Sequence, residues 1–316
     1  MQRRKFFSIL LILAIGFSVL YLAYGLNPNS YQYALSRRIP KLIAIMLTGG
    51  GIAVSSVIFQ TVTNNRILTP SVLGLDSLYT MLQTVIVFIF GSANVALIGS
   101  NVNFILAGIL MVLFSLVLFR IMFKQENQNL FFLLMLGMIF GTLFSSLSSF
   151  MQMVMDPNEF LIVQDKMFAS FNNVKSSLLM ISFLTIVVTF LWAFKDMKRL
   201  DVLSLGREHA INLGIDYDKI VRKLLVVVSI LVAVSTALVG PITFLGLLVT
   251  NLSYQLFKDY RHSVLIPGAI LISIVSLIGG QFLVERVFQF STTIGVIINF
   301  VGGIYFIYVL LKEERV

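Results

Sequence analysis

Residues 224–257 read LLVVVSILVAVSTALVGPITFLGLLVTNLSYQLF and contain no charged side chain. Gly240 and Pro241 divide this stretch into two apolar runs, Leu224–Val239 and Ile242–Phe257. About 20 apolar residues suffice for a helix to cross the hydrocarbon core of a bilayer. Helices are favoured there because lipid offers no partner to unpaired backbone groups, and the alternation typical of β-barrel strands does not occur. The stretch therefore predicts two consecutive transmembrane helices.

The same pattern extends over the 316 residues of the chain, of which 58% are hydrophobic and 12% are charged. An ordinary soluble domain contains about 25% charged residues. Ten spans are predicted from the apolar runs: Phe6–Tyr24, Leu42–Gln60, Leu78–Ile98, Phe104–Phe119, Leu130–Met155, Ser177–Phe194, Leu224–Val239, Ile242–Phe257, Val264–Val284 and Ile294–Leu311. Two short elements, in Asp156–Val174 and Leu200–Asp216, are predicted not to span. We expect an all-α polytopic membrane protein with one transmembrane domain over residues 1–316.

The distribution of Lys and Arg predicts the orientation of the helices. If the N-terminus is cytoplasmic, 17 of the 23 basic residues fall in cytoplasmic segments and 6 fall in outer segments. Cytoplasmic loops of membrane proteins carry an excess of Lys and Arg, so this division predicts cytoplasmic N- and C-termini. We attribute the net charge of +9 to this bias rather than to nucleic-acid binding, and we expect the protein in the cell membrane.

Motifs for catalysis and nucleotide binding do not occur in the sequence. No glycine precedes a lysine, which excludes a P-loop, and no HExxH or GxSxG motif is present. The chain contains no cysteine, which excludes thiolate metal sites and cysteine nucleophiles. His209 and His262 are predicted to be ordinary solvated residues of cytoplasmic loops. We therefore expect no catalytic residue, no metal site and no cofactor.

Two charged regions stand apart from the apolar bulk. Residues 201–215 contain a short predicted helix between Gly206 and Gly214, with charged and apolar side chains side by side. Such a helix is suited either to docking against a partner or to lying in the membrane interface. On the predicted outer side, cations cluster around Pro40 and follow the ninth span at Arg286. They are suited to binding an acidic partner or an anionic substrate, and interfacial snorkelling is the simpler alternative.

Five segments occur in an order that resembles the FecCD family of iron-chelate and vitamin B12 permeases, the type II ABC importers. They are Arg38-Ile-Pro-Lys41 with Thr48–Gly51 and Gln60, Asn64–Gly74, Leu205–Ile215, Gly240–Val249, and Asp259–His262 with Pro267-Gly268. The sequence departs from the family pattern at Thr250 and Asn251, where Pro and His are usual, and at Gln281, where an acidic residue is usual. Residues 155–173 most resemble catecholate siderophore permeases, including those for petrobactin.

The resemblance implies a permease fold of ten helices, with helices 2–5 and 7–10 related as an inverted repeat. Two permease subunits, identical or paralogous, would enclose the pathway, cytoplasmic ATP-binding subunits would hydrolyse ATP, and an extracytoplasmic substrate-binding (lipo)protein would deliver the substrate. Residues 200–216 would form the coupling helix region. Its implied coupling residues are Leu205, Gly206, Arg207, Glu208, His209, Ala210, Leu213 and Gly214. Binding-protein docking would use Arg38, Lys41 and Arg286, with Arg37 as an added candidate.

The resemblance further implies that a ferric siderophore, of the catecholate type, is carried into the cytoplasm without chemical change. Haem and cobalamin are the alternative substrates. A different class, the ion-coupled secondary transporter, would require buried charges, and Asp76 is the one acidic residue near a membrane interior. Because Asp76 stands at the start of a span, we favour helix capping over proton coupling. An intramembrane enzyme is a more distant alternative, since no pair of catalytic groups stands out.

Overall fold

The computed structural model describes residues 2–26, 31–124, 130–172 and 174–313. Within these ranges the regular structure is helical, which confirms the all-α prediction. The helices are α1 (Gln2–Ala23), α2 (Tyr31–Thr63), α3 (Leu75–Ile98), α4 (Ser100–Lys124), α5 (Leu130–Val154), α6 (Pro157–Met167), α7 (Ser176–Phe194), α8 (Met197–Leu203), α9 (Arg207–Asn212), α10 (Tyr217–Val239), α11 (Leu245–Phe257), α12 (His262–Arg286) and α13 (Ile294–Glu313). A 3₁₀ turn, Pro70–Leu73, precedes α3.

Ten of these helices correspond to the ten predicted spans. Seven are long and apolar enough to cross a membrane, namely α1, α2, α4, α5, α7, α10 and α12. Shorter apolar helices are formed by Leu75–Gly91, Leu245–Phe257 and Ile294–Val309. The short helices α6, α8 and α9 lie in or beside the two regions that were predicted not to span. The inverted repeat of the two halves stays a prediction.

Small residues bring α2 close to α10 and α12 at the centre of the molecule. In the apolar stretch of α2, 72% of the residues are buried, and the same share is buried in the apolar stretch of α10. A Cβ atom on Gly51 would lie 2.6 Å from Ser235 Oγ in α10, and one on Gly49 would lie 2.8 Å from Ser273 Oγ in α12. Both distances are too short for a real side chain, so glycine permits this packing. The expected tight packing therefore holds at Gly49 and Gly51, whereas Gly50 faces open space.

The Gly137-x-x-x-Gly141 pair of α5 also makes a close contact, but with a turn rather than with a spanning helix. A Cβ on Gly137 would lie 2.6 Å from the backbone oxygen of Val72, and one on Gly141 would lie 3.2 Å from the Cα of Gly74. Gly74 itself has a φ of 76°, a conformation that favours glycine. The three glycines therefore allow the 3₁₀ turn and the start of α3 to pack directly against α5.

The segment between α6 and α7 crosses the ends of α10 and α13. Ser170 donates its backbone N–H to the oxygen of Val239 at 2.8 Å, and Gly295 donates to the oxygen of Ala169 at 3.0 Å. A Cβ on Gly295 would lie 2.6 Å from the nitrogen of Ala169, so the backbones touch. These contacts fix residues 168–172 over the helix ends.

Candidate functional site

The α8–α9 segment, residues 197–216, consists of two short helices that are separated by a sharp turn. Gly206 precedes α9 with a φ of 96°, and Gly214 follows it with a φ of 82°. Residues with a Cβ rarely adopt such positive φ values, so the two glycines set the limits of the helix. The predicted short helix between two glycines is confirmed as Arg207–Asn212.

The α8–α9 segment presents a mixed apolar and charged surface. Ala210 is fully buried, whereas the nearby Ile211 and Leu213 are exposed. Those two side chains are 49% and 63% exposed, and Leu205 before the turn is 57% exposed. The exposed side chains on and next to α9 include those of Leu205, Arg207, Glu208, His209, Ile211 and Leu213. Exposed leucines of this kind, next to charges, are typical of a surface that another protein covers.

Contacts from Arg207 connect α9 to the start of α10. Arg207 Nη2 lies 3.5 Å from Asp218 Oδ1, and the guanidinium carbon lies 5.8 Å from the centroid of the Tyr217 ring. Asp216 caps α10 by accepting a hydrogen bond from the backbone N–H of Lys219 at 3.3 Å. Because Arg207 and Asp218 are both well exposed, the ion pair orients α9 more than it stabilises the fold.

His262, the first residue of α12, connects three helices beside the α8–α9 segment. Its Nδ1 lies 2.6 Å from Asp201 Oδ1 in α8, and its Nε2 lies 2.6 Å from Thr61 Oγ1 in α2. The backbone N–H of His262 also donates to Asp201 Oδ1, at 2.8 Å. We call Asp201, His262 and Thr61 the histidine network. The prediction that His262 is a solvated loop residue was wrong, because these partners satisfy an imidazole that is only 1% exposed. His209, by contrast, is exposed.

A buried carboxylate fixes the start of α8 to α10. Asp196 is 1% exposed and forms ion pairs with Arg199 and with Lys223 of α10. Burial by itself would raise the pKa of Asp196, but hydrogen bonds from Lys223 and Arg199 hold that pKa below its usual value. The carboxylate is therefore charged at neutral pH. Lys223 also lies 5.1 Å from the Trp192 ring centroid.

The basic cluster lies near the last turn of α1 and comprises Arg37, Arg38, Lys41 and Arg286. Arg38 Nη1 donates to the backbone oxygens of Leu22 and Tyr24, at 2.8 and 2.9 Å. Arg286 Nη2 donates to the Tyr24 oxygen at 3.1 Å, and its guanidinium carbon lies 5.1 Å from the Tyr24 ring centroid. The last backbone oxygens of a helix lack helical partners, so these two arginines satisfy the end of α1.

Lys41 is held by a carboxylate that sequence analysis did not single out. Its Nζ lies 3.0 Å from Glu285 Oε1 and 3.1 Å from Asn172 Oδ1. Tyr21 and Gln281 donate to the same Glu285 oxygen, each at 2.9 Å. The side chains of Lys41 and Glu285 are only 16% and 10% exposed. We call these five residues the glutamate network. It neutralises Lys41 and leaves that side chain little exposed.

Arg37 is the cation of the basic cluster that faces outward. Its side chain is exposed, and the guanidinium carbon lies 5.7 Å from the ring centroid of Tyr33, one helical turn earlier. No carboxylate in the described part of the chain lies within 4.0 Å of it. The structure therefore brings three predicted docking residues together around the end of α1 and leaves Arg37 as the free charge beside them.

The two networks stand at opposite ends of the same pair of helices. Lys41 and Thr61 both belong to α2, and Glu285 and His262 both belong to α12. The 23 residue steps from His262 to Glu285 correspond to about 35 Å of α-helix. The helices α2 and α12 therefore connect the histidine network physically to the glutamate network.

A groove with neutral, mainly apolar walls follows α5. Its volume is about 840 Å³, and no charged side chain belongs to its described lining. Hydroxyl groups from Ser77, Ser145 and Ser149 alternate with an apolar rim that includes Phe150 and Met153. Phe150 and Met153 are 66% and 85% exposed. The surface can therefore accept a large molecule through hydroxyl and apolar contacts, without binding it through charge.

Asp76 has a position different from the one predicted. The N-cap of α3 is Gly74, with no capping hydrogen bond from a side chain, so the prediction that Asp76 caps the helix was wrong. Asp76 lies in the first turn instead, where a carboxylate interacts favourably with the helix dipole. Thr243 Oγ1 donates to Asp76 Oδ2 at 3.4 Å. Asp76 thus connects the first turn of α3 to the loop before α11.

Comparison with known proteins gives results that agree with this geometry. The model of the FecCD transport family matches residues 6–312. The petrobactin import system permease YclO of Bacillus subtilis is 61% identical over 315 residues, which cover 100% of this chain and 99% of the relative. The petrobactin import system permease FatC of Bacillus anthracis is 35% identical, over 99% of this chain and 90% of the relative.

A solved structure shows the same fold at lower sequence similarity. It is an inward-facing conformation of a metal-chelate type ABC transporter, and it superposes with a TM-score of 0.82. The alignment covers 98% of this chain and 99% of that chain, at 23% sequence identity. This likeness confirms the predicted importer permease fold for the arrangement of helices described above.

Proposed function

The chain belongs to the FecCD transport family, and from that membership we propose that it is the permease subunit of an ABC importer for a ferric siderophore. The observation that carries the proposal is the 61% identity, over the full chain, to a petrobactin import permease. The proposed substrate is a ferric chelate of the petrobactin type, which has catecholate groups. The chain itself would catalyse no reaction, since ATP would be hydrolysed by separate subunits.

The proposed complex contains two permease subunits, identical or paralogous, with two ATP-binding subunits on the cytoplasmic side. We assign the α8–α9 segment as their contact, because it exposes Leu205, Ile211 and Leu213 between charges. Gly206 and Gly214 would fix its shape, and the histidine network would transmit its movement to α2 and α12. This orientation places the N- and C-termini in the cytoplasm, in line with the distribution of Lys and Arg.

On the outer side, the basic cluster is proposed to receive an extracytoplasmic binding protein through acidic residues. Arg37 would make the most direct contact, because its charge is exposed and has no neighbouring carboxylate among the described residues. Arg38 and Arg286 would contribute charge while holding the end of α1. Lys41 would act by positioning α2 against α12, since Glu285 already neutralises it.

The α5 groove is proposed as one wall of the substrate pathway between the two permease subunits. Its hydroxyl and aromatic lining suits a large chelate that must pass through and be released, because weak neutral contacts do not retain it. The segment of residues 168–172 would close the outer end, since it lies across α10 and α13.

Uptake measurements test the proposed substrate. In a bacterial strain that lacks its own permease, the chain with its partner subunits should restore uptake of radiolabelled ferric petrobactin. Uptake of a ferric hydroxamate, haem and cobalamin under the same conditions provides the comparison. Uptake of haem or cobalamin in preference to the siderophore would contradict the proposal, as would petrobactin uptake that persists without ATP.

A further inference from the structure

A cavity separate from the α5 groove lies between α3, α4, α6, α7 and α10. Its volume is about 320 Å³. Its lining includes apolar Phe104 and Leu178 and an amide pair, Gln83 and Asn103, that exchanges two hydrogen bonds of 3.0 and 3.1 Å. These amides satisfy each other and hold α3 against α4. The remaining polar groups of the cavity are therefore the ones available to a ligand.

Two lysines line this cavity, and neither forms an ion pair with a described carboxylate. Lys166, at the end of α6, is half-buried, and Lys175, which precedes α7, is exposed. No carboxylate of the described chain lies within 4.0 Å of either amino group. Burial lowers the pKa of Lys166, and the nearby charge of Lys175 lowers it further, against an opposing effect of Asp165. Both lysines therefore carry positive charge into the lining of one cavity.

A tyrosine hydroxyl lies in the lining of the same cavity. Tyr79 of α3 lines the cavity and is only 6% exposed. No hydrogen bond joins its hydroxyl to another described residue, so this donor is open to a ligand in the cavity. Lys166, Lys175 and the adjacent Asp165 together carry a net charge of +1. The site therefore offers two cations and one neutral donor to a ligand with a single negative charge.

We propose that the cavity binds a phosphate group, held between Lys166 and Lys175 and hydrogen-bonded by the Tyr79 hydroxyl. Lysine is a common phosphate ligand because it acts as a compact point charge. The phosphate could belong to the headgroup of an anionic phospholipid or be free in solution. Only 33% of the apolar stretch of α4 and 28% of that of α7 are buried, so both helices are open to lipid. This exposure favours the lipid headgroup as the source of the phosphate.

Native mass spectrometry of the full-length permease can test this site. The protein would be titrated with phosphatidylglycerol or phosphatidylcholine, and inorganic phosphate would then be added to the phosphatidylglycerol complex. We expect a preference for phosphatidylglycerol that falls roughly 25-fold in the Lys166→Gln/Lys175→Gln variant, at about fivefold for each lysine. In Tyr79→Phe, which removes only the hydroxyl, we expect a loss of about fivefold.

The Lys195→Gln/Lys198→Gln variant removes the same charge from exposed positions outside the cavity and serves as the matched control. It should keep the wild-type preference. If the cavity variant loses phosphatidylglycerol and phosphate does not displace this lipid from the wild type, the headgroup is the ligand. Displacement of phosphatidylglycerol by millimolar phosphate identifies a site for free phosphate as well. Equal binding of both lipids with no effect of phosphate would overturn the proposal. So would an equal loss of affinity in the cavity variant and in the control.

Discussion

The histidine network and the glutamate network occupy the two ends of α2 and α12, yet they differ in what they leave exposed. At one end, His262 is buried between Asp201 and Thr61, and the neighbouring α8–α9 segment presents leucines to its surroundings. At the other end, Glu285 neutralises Lys41, and arginines satisfy the last carbonyls of α1. One end thus combines a buried hydrogen-bond network with an exposed apolar surface. At the other end most charged side chains have hydrogen-bond partners, and Arg37 alone among the basic cluster has none in the described part of the chain.

We therefore expect the two ends to bind their partners through different interactions, apolar burial at one end and electrostatic attraction at the other. Apolar side chains gain free energy when a partner removes them from water, in proportion to the area covered. An exposed charge such as Arg37 contributes mainly to the rate and specificity of association, and salt screens it. We therefore expect a stable contact at the α8–α9 segment and a transient, salt-sensitive one at the basic cluster.

The largest effect should come from breaking the histidine network. His262→Ala removes the group that joins α8 to α2 and α12 and leaves Asp201 and Thr61 without it. We expect transport of ferric petrobactin per ATP hydrolysed to fall by more than about tenfold in reconstituted vesicles, since a lost buried partner costs about 1–3 kcal/mol. His262→Asn, which can still donate to Asp201, should recover part of the coupling. An unchanged transport-to-hydrolysis ratio in both variants would show that the network is not needed.

The apolar surface of the α8–α9 segment can be tested by making it polar. Leu205→Ser with Leu213→Ser should weaken association with the ATP-binding subunits by about tenfold or more, because roughly 0.8 kcal/mol is lost for each buried CH₂ group. Co-purification and binding measurements in detergent would quantify the change. Lys258→Ser alters an exposed residue outside the α8–α9 segment and should leave the affinity unchanged. Equal affinities for the double variant and the control would place the contact elsewhere.

The glutamate network should contribute to stability more than to partner binding. A double-mutant cycle with Lys41→Gln and Glu285→Gln isolates the interaction between the two charges. Since both side chains are largely buried, we expect a coupling free energy of about 1–2 kcal/mol in thermal unfolding, and each single variant should be less stable than wild type. Additive effects of the two substitutions would show that the pair does not act as a unit.

Substitution of Arg37 should give the smallest effect, and it should change partner binding rather than stability. Arg37→Glu should leave the unfolding temperature unchanged, since the side chain is exposed and contacts only the Tyr33 ring among the described residues. It should slow binding-protein association several-fold at low salt, and the difference should vanish at high salt. Surface plasmon resonance at two ionic strengths can measure this. A loss of stability, or a salt-independent loss of affinity, would contradict the assignment.

Much of the fold follows from the sequence, because apolar runs of sufficient length have few alternatives in a bilayer. The ten spans and the helix between Gly206 and Gly214 were predicted from such local features. His262 was misjudged because its burial depends on Asp201, 61 positions earlier, which no local pattern reveals. Glu285 escaped notice because it stands next to Arg286 at a helix end, where charged pairs are ordinary.

The proposed function requires that the α8–α9 segment and the basic cluster lie on opposite sides of the membrane, and this can be measured directly. Because the chain contains no cysteine, Leu213→Cys and Arg37→Cys each introduce a single thiol. Both positions are exposed, so a membrane-impermeant maleimide can reach them from the correct side. We predict labelling of the Arg37→Cys variant in intact cells and of the Leu213→Cys variant only in inverted vesicles. Labelling of the Leu213→Cys variant in intact cells would contradict the assignment of the α8–α9 segment to the ATP-binding subunits.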